Sequence, residues 1–147
     1  MAITVSSPAF ADGGNIPRRY TCDGENVSPP LRFADVPPGT RQLGLLVADP
    51  DAPSGTFVHW VAWGIDPATQ TLGEGEAPPG TGINGFGRRG YDGPCPPRGA
   101  PHRYVFTVLA LAQPPTLPPG ASADDLRKAV AGTVLAEGRL MGRYARA

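Results

Sequence analysis

Apolar positions along this chain come in short runs broken by glycine and proline, which is the pattern of strands joined by structured loops. Residues 2–6 alternate and predict a first strand. Residues 11–30 read as loop, punctuated by Gly13-Gly14, Pro17 and Ser28-Pro29-Pro30. Leu43 to Ala48 is an apolar run that stops at Asp49-Pro50, because proline cannot continue a central ladder. Phe57 to Ile65 is a second run, rich in aromatic and β-branched residues, and Arg103 to Ala112 is the strongest strand signal of all. Residues 66–101 hold many glycines and prolines and no periodic apolar pattern. A loop that long is uncommon in a compact domain and is often functional. One helix is predicted, with Ser122 as N-cap and Asp125 at the capping-box position. Leu126, Ala129, Val130, Thr133 and Val134 fall on one of its faces, and Gly138 is its stop. Residues 139–145 predict a last short strand. The expectation is a mostly β architecture with one amphipathic helix packed on the outside.

A length of 147 residues fits a single domain spanning 1–147, large enough to hold a core without staples. Thirteen basic residues, all arginine except Lys128, cancel thirteen acidic ones. That balance gives no electrostatic reason to expect nucleic acid or an anionic membrane as partner. No apolar run approaches eighteen residues, so no transmembrane helix is expected. Met1 to Val5 lacks a charged start followed by an apolar stretch, and a cytoplasmic protein is the expectation. Cys22 and Cys95 are too few for a disulfide framework or a cysteine metal site; two buried thiols are the ordinary reading, and a single disulfide stays open.

Both histidines sit at informative places. Strand alternation puts His59 on one face with Phe57, Val61 and Trp63, while Val58, Trp60 and Ala62 point the other way. Both faces are apolar, so the strand is central and His59 is buried. A lone buried histidine is more often a satisfied core residue than a functional one. Asp49 changes the balance. A carboxylate ending a buried strand needs a partner, whereas Asp51 is accounted for by turn chemistry in Asp-Pro-Asp-Ala-Pro-Ser. His102 opens the strongest strand on the face of Tyr104 and Phe106, after a proline-stiffened segment from Tyr91 to Gly99. Two imidazoles near one aspartate suit an anion, since each protonated ring donates a charge-assisted bond. Because histidine titrates near ~6.5, binding is expected to tighten in acid. An enzyme is the less favoured alternative, with Cys95 as a thiol nucleophile or the two histidines and Asp49 on a metal. Cys95 lies between prolines, with no helix N-terminus to activate it.

These residues also resemble a known family. Asp49-Pro50-Asp51-Ala52-Pro53-Ser54 followed by His59 resembles the first signature block of the phosphatidylethanolamine-binding proteins. Gly90-Tyr91, then Gly93-Pro94-Cys95-Pro96-Pro97, then His102-Arg103-Tyr104 resembles the second. Ser7-Pro8, Ile16-Pro17 and Ser28-Pro29-Pro30-Leu31 are similar to the short bacterial and archaeal branch, called Raf-kinase-inhibitor-like. The resemblance runs from about Ser7 to Tyr144. It implies a large antiparallel sheet packed on a smaller one with a peripheral helix. It implies an anion pocket formed by Asp49, His59, Pro96, His102 and Tyr104, with Asp51, Phe57, Tyr91 and Cys95 in support. Phe57 and Phe33 stand where many members have tryptophan, and so lack its N–H donor. No catalytic residue, cofactor or metal is implied. The partner expected is an anionic or phosphorylated small molecule, bound without turnover; the alternative is inhibition of a kinase or protease through protein contact. A homodimer is a further expectation from the resemblance.

Overall fold

The structure, a computed structural model, describes residues 2–146. Its strands form two antiparallel sheets. The larger contains β3 (Gln42–Asp49), β4 (Phe57–Ile65), β6 (Gly80–Thr81), β7 (His102–Leu111) and β8 (Val134–Tyr144), in the order β6-β4-β3-β7-β8. The smaller contains β1 (Thr4–Ser6), β2 (Leu31–Ala34) and β5 (Thr71–Leu72), in the order β1-β2-β5. One α-helix, α1 (Ala123–Val130), packs on the outside of the larger sheet. A mostly β fold with two sheets and a peripheral helix is therefore what these residues form.

Two apolar layers explain the doubly buried strands. Between the sheets, Val5, Leu31, Phe33 and Leu72 of the small sheet meet Leu43, Leu45, Val47, Trp60, Tyr104, Phe106 and Leu140 of the large one. On the other side, Leu46, Val61, Trp63, Leu109 and Leu111 pack under Leu126 and Val130 of α1. Aliphatic side chains buried to this extent contribute roughly 1.5–3 kcal/mol each relative to exposure.

Three predicted details are corrected. The helix does not run to Gly138: it stops at Ala131, where Gly132 takes φ +80°, a left-handed turn that favours glycine. Thr133 and Val134 accordingly leave the helical face, and β8 starts at Val134 rather than at 139. Leu31–Ala34, to which the apolar pattern assigns no element, is the middle strand of the small sheet. The two cysteines are not buried thiols. Cys22 and Cys95 are exposed and form a disulfide, with Cα atoms 5.4 Å apart.

Candidate functional site

Asp49, the last residue of β3, and His102, the first of β7, lie on the face of the large sheet that looks toward the small sheet. His102 Nδ1–H donates to Asp49 Oδ2 at 2.7 Å. The other carboxylate oxygen accepts the backbone N–H of Asp51 at 2.7 Å, so the buried charge is held from two sides.

His59 reaches the same place by a route that simple alternation misses. β3 and β4 shift register between Val47–Trp60 and Ala48–Val58, leaving His59 as the extra residue of a bulge. The bulge turns His59 toward the inner face together with Phe57. Trp60 and Ala62 follow on that inner side, and Val61 and Trp63 pack under the helix instead. The His59 ring meets the Tyr104 ring edge-on at 5.2 Å between centroids, and Phe57 likewise at 5.2 Å. Its Nδ1 lies 2.8 Å from the carbonyl oxygen of Asp92. A carbonyl only accepts, so the proton sits on Nδ1 and Nε2 is left as the basic nitrogen. Burial is the main influence on this ring and pushes its pKa below the ordinary 6.5, against the pull of nearby acceptors and Asp49.

These side chains enclose a cavity of about 140 Å³, with Ala52, Pro53, Phe57, Phe86, Cys95, Pro96 and Pro97 completing its wall. Liquid water occupies ~30 Å³ per molecule, so the space suits an oxyanion or a head group rather than a large organic ligand. Tyr104 is the remaining polar group. Its hydroxyl is buried and has no hydrogen-bond partner among the described residues. Burial, reinforced by the Asp49 carboxylate, pushes its pKa far up, so it stays a protonated donor. A larger concavity of about 430 Å³ lies on the opposite side of the sheet, under Val130 and against Leu46 and Leu109. It holds neither histidine nor the aspartates, and size alone does not make it the better site.

Seven of the nine residues singled out in the sequence line the cavity: Asp49, Phe57, His59, Cys95, Pro96, His102 and Tyr104. The two others support it from outside. Asp51 faces away, bonded to the backbone N–H and the guanidinium of Arg103, and the Arg103 bonds hold its carboxyl well below the usual range. Tyr91 packs edge-on against Trp60 and donates its hydroxyl to the Tyr20 carbonyl. The thiol-nucleophile alternative fails, because the Cys95 sulfur is spent in the disulfide. Asp49 turns one oxygen to His102 Nδ1 rather than sharing a ligand point with both rings, and no group of three or more metal-binding side chains occurs among the described residues.

Asp92 is the main residue the sequence reading did not anticipate. Its carbonyl fixes the His59 tautomer, and its buried carboxylate gathers Asn26, Asn84 and Arg88 at 2.8–3.1 Å. Burial raises its pKa, but the bonds from Arg88, Asn84 and Asn26 outweigh that and leave it below the usual range. Phe86 was missed too; it lies in residues 66–101, a stretch that reads as one long loop but carries the short strands β5 and β6, and its length was the available signal.

A family model for phosphatidylethanolamine-binding protein matches residues 6–145. The chain belongs to this family. Among the family's solved structures, the phosphatidylethanolamine-binding protein homolog CT736 of Chlamydia trachomatis superposes with a TM-score of 0.94 at 38% identity, covering 99% of both chains. Escherichia coli YbcL, described as a member of the mammalian family, gives 0.91 at 27% identity over all of both chains. A UPF0098 protein of Methanothermobacter thermautotrophicus is 46% identical, covering 98% of this chain and 99% of that one. A Mycobacterium tuberculosis protein named as a lipoprotein, LppC, is 42% identical over 97% of this chain and 72% of its own length. That relative overturns the expectation of a cytoplasmic protein, because a lipoprotein is membrane-anchored. The Cys22–Cys95 disulfide agrees, since such bonds persist mainly in oxidising compartments. No helix among the described residues is long and apolar enough to cross a membrane.

Proposed function

We propose that this protein binds a phosphate-like anion or a phosphorylated head group in the Asp49–His59–His102 cavity and releases it unchanged. One observation carries the reading. Both imidazoles spend Nδ1 on an acceptor of the protein, Asp49 for His102 and the Asp92 carbonyl for His59, while the rings line one small cavity with the unpartnered Tyr104 hydroxyl. Each ring thus keeps Nε2 for a ligand. A lone pair on Nε2 repels an oxyanion, whereas Nε2–H donates to it, so binding draws a proton onto the ring. Asp49 compensates the resulting positive charge on His102. Disulfide bonding of Cys95 and the firmly held Tyr104 proton support binding without covalent turnover.

Sulfate is the best probe, because it does not itself titrate between pH 5 and 8. Titration calorimetry is expected to show tighter sulfate binding at pH 5.5 than at pH 8, with proton uptake on binding. Equal affinity at both values removes the histidines as donors. Release of phosphate from an aryl phosphate ester above the buffer rate overturns the absence of turnover.

A further inference from the structure

Beside the histidine cavity lies a second one of about 340 Å³, lined by Arg18, Asp23, Arg98, Tyr144, Ala145 and Arg146. Three features make the two cavities neighbours. Tyr144 is the cross-strand partner of His102, and directly paired residues project to the same face. Pro97 lines the first cavity and the next residue, Arg98, lines the second. The disulfide joins Cys95, in the wall of the first, to Cys22, which precedes Asp23 in the second.

The second cavity is arginine-rich and assembled from three separate segments. Arg18 comes from the short 3-10 turn Arg18–Tyr20, Arg98 from the proline-stiffened loop, and Arg146 from the stretch after β8. Backbone contacts hold them in place: Arg98 and Arg146 form a bridge, and Gly99 N–H donates to the Arg146 carbonyl. Among the described residues, Arg18 and Arg146 stand beside the Asp23 carboxylate, which is itself bonded by the Tyr144 hydroxyl and by Arg146. Arg18 donates through Nε to the backbone carbonyl of Asp23, and its guanidinium lines the cavity. Guanidinium forks of this kind match carboxylate and phosphate oxygens.

We propose that this arginine-lined cavity is a second anion subsite, so that the full ligand carries two negative groups, one held by the histidines and one by Arg18 and Arg146. The inference rests on the anion reading of the histidine cavity and adds the ligand's class: a phosphorylated compound with a carboxylate or second phosphate nearby.

Phosphoserine and phosphoethanolamine differ only by a carboxylate, and both are titrated into the full chain. The wild type is expected to bind phosphoserine about tenfold more tightly, the yield of one charge-assisted bond. In the Arg18→Gln/Arg146→Gln double variant that preference disappears while sulfate affinity at the histidines is kept, which also shows that the variant is folded. The side-chain Nε signals of Arg18 and Arg146 are expected to shift with phosphoserine and not with phosphoethanolamine. Equal binding of the two compounds by the wild type, or a preference that survives the double variant, overturns the second subsite. Absence of sulfate binding to the wild type overturns the histidine cavity instead. Sedimentation with phosphatidylserine-containing vesicles, against pure phosphatidylcholine vesicles, assigns a confirmed subsite to a lipid head group or to a free metabolite.

Discussion

Asp49 takes two partners because it ends a buried strand where water is scarce: His102 Nδ1 on one oxygen and the Asp51 amide on the other. Only a carboxylate can both accept that imidazole proton and balance a positive ring. Asp49→Asn is therefore expected to weaken sulfate binding about tenfold to a hundredfold at pH 5.5, the scale of one charge-assisted bond. Calorimetry checks it, and an unchanged affinity removes Asp49 from the mechanism. His59 makes a different claim, about stability. Burial lowers its folded pKa below 6.5. Below about pH 6.5 the unfolded chain then takes up a proton the folded chain refuses, so stability falls as pH drops, until the folded ring protonates too. Above that window the ring is neutral in both states and adds no pH dependence. In urea titrations from pH 7 to pH 5, His59→Gln is expected to lose less stability than the wild type; parallel slopes contradict the buried neutral ring. At this scale the sequence was informative wherever a polar residue broke an apolar run, as at Asp49, His59 and His102. Asp92 gave no such sign, since it lies outside any apolar run and its burial is set by tertiary packing.

The strands were legible as apolar runs, yet the element that aims His59 was not. Alternation grouped it with Val61 and Trp63, and the bulge opposite Val47 and Ala48 separates them. A bulge is set by pairing between strands, which one strand's own pattern does not encode. The end of α1 shows the same thing. Val134 fits a helical face and also fits β8, and Gly132 with its positive φ decides for the strand. Ser122, in contrast, was readable from its local chemistry: its hydroxyl accepts from Asp125 N–H, whose carboxylate returns the bond. Ser122→Ala should cost about 1 kcal/mol in urea denaturation. The disulfide is the tie between the two loops behind the cavity. It fastens the Pro94–Pro97 wall to the segment after Tyr20, beside the Cys22 N–H to Pro94 carbonyl bond. With 73 positions between the cysteines, a Cys22→Ser/Cys95→Ser variant is expected to lose about 2–4 kcal/mol and to bind sulfate more weakly, because Cys95 lines the cavity. Undiminished stability shows that the hydrogen bonds from Asn26 and Cys22 suffice.

Across the whole molecule, the cavity is a place where distant parts of one sheet and one loop have to agree. β3 ends there, β4 bulges there, β7 begins there, and Phe86 with Cys95, Pro96 and Pro97 closes the wall. The sequence supplied each piece, and their convergence came from the resemblance, because register and packing between sheets leave no mark in any single segment. Convergence has a thermodynamic consequence: an anion that binds only the assembled cavity stabilises the entire fold. At about a hundred times its Kd, such a ligand adds about 2.7 kcal/mol, roughly 5–10 °C in Tm for a chain of this size. Sulfate also stabilises proteins in general by exclusion from their surface, so the raw shift in Tm is not diagnostic. The diagnostic quantity is a difference. Sulfate is expected to raise Tm more at pH 5.5 than at pH 8 in the wild type, whereas an Asp49→Asn/His102→Ala variant retains only the general, pH-independent part. Exclusion acts equally on both proteins and cancels. If the double variant gains as much as the wild type at pH 5.5, the stabilisation comes from the surface, and the cavity holds no anion.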